Sequence, residues 1–310
     1  MRVTNSMLTS SFVSDMQRNL KNMQSIQQQM TSGKLFSKPS DDPSKAVKSM
    51  QLYSEISANE QFNSNIDDTI NWMDTTDTAL GQQGNILQRV RELIVSAGDG
   101  SYSSNELQSV KDEINELVGQ FSQVMNTSFD GKYIFGGTDV TTKPTTATTD
   151  AATGNTSIAY TSADITNLSS KLKTEISQGV YVDYSVSAAD IVGYKSATGV
   201  TDLRDLFKNI VSDLDSNKPD QVTGDDLKSL DDAINNLLSV RSQVGAKQNR
   251  METAQTQNTD QNTNLTDILS KNEDIDITEK TMEYSTMQTI YLASLQTSAK
   301  VLQPSLLDYL

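Results

Sequence analysis

The stretch Ile66–Ile94, IDDTINWMDTTDTALGQQGNILQRVRELI, decides the fold. Ile66, Met73, Leu80, Leu87 and Ile94 occupy one heptad position five times in succession. A seven-residue repeat puts those side chains on one stripe of an α-helix, which a strand's two-residue period cannot do. The helix reaches back to Pro43, where Asp41 or Asp42 stands as a cap and proline suits the first turn. It reaches forward to Ala97, where Gly98, Asp99 and Gly100 stop it. At ~1.5 Å per residue such a rod is about 80 Å long.

Working outward, the same reading gives further helices. Residues 5–31 place Leu8, Phe12, Met16, Leu20, Met23, Ile26 and Met30 at steps of three and four, and Gly33 ends the run. Ser103 or Ser104 caps a helix carried by Leu107, Val110, Ile114, Leu117, Phe121 and Val124. Helix returns at Asp202–Leu214. From Asp225 one frame continues through Leu227, Leu230, Ile234, Leu237, Arg241, Val244, Gln248, Met251, Gln255, Asn258, Asn262, Leu265 and Leu269. That seam reads as apolar at both ends and polar in the middle, a pattern that sets register at some cost in stability. The last helix, about Thr278–Leu302, aligns Met287, Tyr291, Leu295, Ser298 and Leu302.

Between these helices the composition changes. Thr138–Thr174 holds twelve threonines in 37 residues, with Pro144 and the Gly154–Asn155 pair between short runs. Alternation at Lys171–Ile176 and Val180–Val186 predicts small antiparallel strands. The segment reads as an exposed tip without a large apolar seam. The fold class expected is mainly α: an elongated antiparallel helical bundle or coiled coil built from both chain ends, with a small inserted β-rich domain. Three parts are expected: 1–44 with 272–310 as a terminal coiled-coil polymerisation domain, 45–138 with 200–271 as a helical rod, and 139–199 as the inserted outer domain.

Composition narrows the function. Of 310 residues, 35% are hydrophobic and 6% aromatic, little for a round core and well suited to helices burying one stripe. Cysteine and histidine are both absent, which excludes disulfides, thiolate chemistry, Cys/His zinc sites and histidine triads. No catalytic, cofactor or metal residue is expected, and the chain does not read as an enzyme. A net charge of −15 opposes nucleic-acid wrapping. No apolar run approaches the ~20 residues of a membrane span. The N-terminus lacks the basic and apolar regions of a cleavable signal, so export would take another route. Asp41 and Asp42, without histidine or a second acidic cluster nearby, read as helix-capping residues.

Several segments resemble the flagellin superfamily. Thr31–Pro43 (TSGKLFSKPSDDP) is similar to the segment after the first flagellin helix, and Leu87–Leu93 (LQRVREL) and Thr127–Gly137 (TSFDGKYIFGG) resemble further segments. Glu273–Tyr284 resembles the acidic entry to the last flagellin helix. Pro43, the opening Met1–Leu8 (MRVTNSML), Gly137–Pro144 (GTDVTTKP) and Leu306–Leu310 (LLDYL) resemble the hook–filament junction branch more than filament flagellin. The similarity covers about 1–138 and 200–310.

The resemblance implies a non-enzymatic subunit secreted through the flagellar type III channel into the extracellular flagellum. It further implies a homo-oligomeric ring between an adjoining hook-associated protein and filament flagellin, with a flagellar export chaperone before assembly. Filament flagellin itself is the alternative; a cytoplasmic coiled-coil adaptor is a more distant one. The expected subunit-interface residues are Leu8, Phe12, Met16, Leu20, Met23, Met30, Met287, Tyr291, Leu295, Leu302, Leu306, Leu307 and Leu310. Their apolar stripes could instead be buried within one subunit.

Overall fold

The computed structural model describes residues 5–98, 102–161, 168–196, 202–216 and 222–301. Helix α1 spans Asn5–Ser32 and ends at Gly33, whose φ of +74° is a left-handed stop that glycine adopts without strain. Asp42 Oδ1 accepts the Lys45 N–H at 3.1 Å and caps α2, Pro43–Ala97. Asp41 closes the turn before it, accepting from the Ser37 and Lys38 N–H groups. Asp42 thus takes the capping role expected for the pair, while Asp41 holds the turn before the helix instead.

Helix α3, Ser104–Met125, follows Ser103, whose N–H donates to the Glu106 carboxylate at 2.6 Å. Three two-stranded antiparallel hairpins come next: β1 Ser128–Phe129 with β2 Lys132–Tyr133, β3 Thr145–Thr149 with β4 Thr156–Tyr160, and β5 Lys173–Ser177 with β6 Val180–Asp183. Short helix α4, Ala188–Val192, precedes α5, Leu203–Asp215, which Asp202 caps. A π-helical turn, Val222–Asp226, leads into α6, Leu227–Glu273, and α7 covers Ile277–Val301.

The chain forms two compact units, residues 59–259 and residues 1–58 with 260–310. In the 59–259 unit the decisive heptad is the core: Ile66, Met73, Leu80, Leu87 and Ile94 are each at most 1% exposed. Helices α2 and α6 run antiparallel there, as Arg91–Asp231, Asp77–Arg241, Asp74–Gln248 and Asp67–Gln255 fall in descending order. These bonds correct one expectation. Arg241, Gln248 and Gln255 do not fill the middle of the buried seam; they reach sideways to aspartates of α2, and Leu237, Val244 and Met251 fill the core instead. A long polar side chain finds a partner and water at the seam edge, so nothing forces it inward.

The Thr-rich insertion also differs from an exposed tip. Ile158, Leu168, Ile176, Val182, Ile191, Val192 and Tyr194 share one core with Ile114, Val118 and Phe121 of α3 and with α5. Polar bonds stitch the hairpins down. Asn126 holds the backbone N–H and C=O of Thr145, Asn115 accepts from Thr156 N, and Asn258 donates to Ile176 O at 2.8 Å. Lys111, only 5% exposed at its side chain, pairs with Asp215 and donates to Thr153 O. The exposed threonines do line the hairpin's outer side, where Thr146 and Thr148 bond Thr161 and Ser157.

Candidate subunit interface

The unit of residues 1–58 and 260–310 holds the predicted interface. Its two terminal helices are tied where one ends and the other begins. Lys34 and Asp274 form an antiparallel bridge, Leu35 N donates to Glu273 O, and Ile275 N donates to Gly33 O at 3.0 Å. Since α1 also packs along α7, the two helices run antiparallel from that tie.

One charged group sits at the tie. Glu273 is 5% exposed, and its Oε1 accepts from both Lys34 Nζ and the Tyr53 hydroxyl at 2.5 Å. Lys34 Nζ also donates to the Tyr53 oxygen at 2.9 Å and lies 5.5 Å from that ring's centre. Burial opposes the carboxylate, but the bonds from Lys34 and Tyr53 outweigh it and hold Glu273 below the usual carboxylate range. The bond to Glu273 raises the Lys34 ammonium. Asn272 adds a neutral clasp, donating to Lys45 O and Ser49 Oγ.

Apolar burial in this unit is thin. Leu52, Leu265 and Leu269 with Ile56 form a small cluster, and Ile26 and Ala46 are buried singly. Exposed apolar side chains are correspondingly many. Of the sixteen large hydrophobic residues exposed among the described residues, twelve belong to this unit, including Met50 at 67% and Met282 at 62%. Single exposed hydrophobics are ordinary; here they concentrate in one unit with a small core, eight of the twelve on α1 and α7.

The predicted residues divide accordingly. Phe12, Met16, Met23, Met30, Met287 and Tyr291 are half-buried, on the sides of α1 and α7 that carry their stripes. Leu20 and Leu295 are exposed at 48% and 38%. The Leu8 side chain and Leu302, Leu306, Leu307 and Leu310 lie outside the described residues. Val13, Val47, Met50, Ile277, Met282, Ile290 and Leu292, which were not among the predicted residues, are exposed as well. A signal for α7 was present: Met282, Ile290 and Leu292 stand off the Met287–Tyr291–Leu295 stripe, so apolar side chains are not confined to one face of the helix.

Residues 3–140 match the bacterial flagellin N-terminal helical region, and residues 227–310 match the bacterial flagellin C-terminal helical region. The chain is 28% identical to the flagellin of Bacillus subtilis over 301 residues, 95% of this chain and 94% of that one. It is 25% identical to flagellar hook-associated protein 3 of Escherichia coli, over 86% of each chain. Its fold resembles a solved hook-associated protein from Vibrio parahaemolyticus, with a TM-score of 0.63 and 18% identity over 76% of this chain and all of that one. The hook-associated protein 3 of Legionella pneumophila gives a TM-score of 0.61 and 15% identity over 72% of this chain and 98% of that one.

Proposed function

The chain belongs to the flagellin family, and from that membership we propose that it is a structural subunit of the bacterial flagellum, forming the junction between hook and filament. The observation that carries this reading is the terminal unit, with its thin core and its concentration of exposed apolar residues. A surface of that kind is stable once neighbouring subunits cover it, at roughly 25 cal/mol per Å² of apolar area removed from water. Phe12, Met16, Leu20, Met23, Met30, Met287, Tyr291 and Leu295, together with Leu8, Leu302, Leu306, Leu307 and Leu310, are the interface residues of this proposal.

The partners are copies of the same chain in a ring, an adjoining hook-associated protein on one side and filament flagellin on the other. An export chaperone holds the chain before secretion. One packed lattice grows on a different one only through a subunit that offers a compatible face to each. Pro43, Gly137–Pro144 and Leu306–Leu310 favour the junction branch, and the matched hook-associated folds accord with it. The role is structural, with no catalysis.

Filament flagellin is the second reading, favoured by the 28% identity to the Bacillus subtilis protein along nearly its whole length. Deleting the gene separates the two. A junction subunit's loss leaves hooks without filaments, with monomeric flagellin released into the medium, as electron microscopy and a flagellin assay would record. Attached filaments of ordinary length would refute the junction role. Absence of any flagellin, made or released, would identify the chain as the filament subunit. Removing only Ser305–Leu310 should give a weaker form of the junction defect.

A further inference from the structure

The π-helical turn Val222–Asp226 carries a buried acid. Val222 is 0% exposed and Asp226 6%. Asp226 Oδ2 has no hydrogen-bond donor among the described residues. The turn is wedged. Thr223 packs so closely on Gly98, at the end of α2, that a Cβ on that glycine would stand 1.7 Å from Thr223 Cγ2. Helix α5 packs against the same turn. A π turn is wider than an α turn and costs backbone stability, so it persists where its surroundings hold it.

The groups around Asp226 are of one sign. Asp213 faces it from α5 and Asp225 from its own turn. The Tyr194 phenol, in the segment after α4, lies within its electrostatic reach, and Glu106 of α3 borders the cleft that Thr223 and Leu227 line. Among the described residues no lysine or arginine forms an ion pair with Asp226.

We propose that this turn is a proton-sensitive seat for α6: with Asp226 neutral it stays wedged between α2 and α5, and loss of the proton puts an unpaired charge in the core and loosens it. Burial first, then the charges of Asp213 and Asp225, push the carboxyl up to about 7 from an ordinary 3.8. A carboxyl raised in the folded state contributes stability that is complete below its unfolded value and is lost as pH rises through about 7. Over that window the folding constant falls by up to about tenfold per pH unit. The inference is independent of whether the chain serves junction or filament.

Trp72, the only tryptophan, lies in the same unit and reports its unfolding. Urea denaturation of the full chain should be followed by its fluorescence from pH 5 to pH 8.5, for the wild type and for Asp226→Asn. Asparagine mimics the neutral acid in shape. The ratio of wild-type to variant folding constants should fall by about a hundredfold across the range, with the variant the more stable at the alkaline end. In the wild type, the side-chain carboxyl carbon of Asp226 should titrate near neutrality by NMR, and Asp213→Asn should lower that midpoint. Parallel stability profiles for the two proteins, or titration of Asp226 in the ordinary carboxylate range, would overturn the proposal. If the variant does not fold, the wild-type titration decides alone.

Discussion

Lys34 and Glu273 stand 239 positions apart in sequence, yet the lysine ammonium donates to the glutamate Oε1 at 2.5 Å. The contact joins the residue after Gly33, where α1 has ended, to the last residue of α6, and it buries a carboxylate that the Lys34 and Tyr53 side chains satisfy, with a smaller share from Ser49. Lys34→Met should therefore destabilise the terminal unit by about 2–3 kcal/mol. That is below the cost of breaking a fully buried pair, because the lysine is partly solvated. Tyr53→Phe, which removes one bond to the charge, should cost about 1–2 kcal/mol. Hydrogen exchange of α1 and α7 amides would measure both, and unchanged protection in Lys34→Met would contradict the tie.

The same carboxylate sets a pH dependence opposite in sign to that of Asp226. Glu273 is held below its ordinary 4.5, so its contribution is complete above that value and is lost as pH falls through the lowered folded value. Exchange protection of α1 and α7 should drop in acid, and Glu273→Gln should remove that drop while lowering protection at neutral pH. An acid response identical in the variant would assign the effect to other groups.

Terminal helices with so little burial should be marginal in the monomer. Limited proteolysis of a confirmed monomer is expected to cut first within α1 and α7 and to leave a resistant core near residues 45–270. Full protection of both helices would count against an interface that needs a neighbour.

Exposed apolar residues of α7 should matter to assembly and not to monomer folding. Leu292→Asp, at a position 53% exposed, should shift monomer stability by less than about 0.5 kcal/mol. The same change should prevent incorporation into the flagellum, because it places an unpaired charge in the covered surface. Normal filaments in a strain carrying Leu292→Asp would remove this face from the interface.

The β3–β4 hairpin shares the helices' core, so Ile158→Ala should lower the stability of the whole 59–259 unit. The expected loss is about 2–4 kcal/mol, read by Trp72 fluorescence. Loss confined to the hairpin, with the Trp72 transition unmoved, would show that it folds separately.

Helices and their ends were legible in the chain itself because their causes are local. Pro43 after Asp42, Gly33 after α1, Ser103 three residues before Glu106 and the heptad from Ile66 to Ile94 act within a turn or two, whatever surrounds them. The apolar stripes of the terminal helices were legible too, since Met16 and Met23 on α1, and Met287 and Tyr291 on α7, repeat at helical spacing. Tertiary structure alone decided which polar side chains leave the seam. Arg241, Gln248 and Gln255 share a frame with Val244 and Met251, and only the aspartates of α2 opposite them draw them to its edge. It also decided that the Thr-rich hairpins join the helical core, since strand alternation shows that one face is buried but not against what. The Lys34–Tyr53–Glu273 cluster and the acid at Asp226 were beyond sequence reading for the same reason. Each depends on groups far apart in the chain, and burial, which sets their energies, has no local signature.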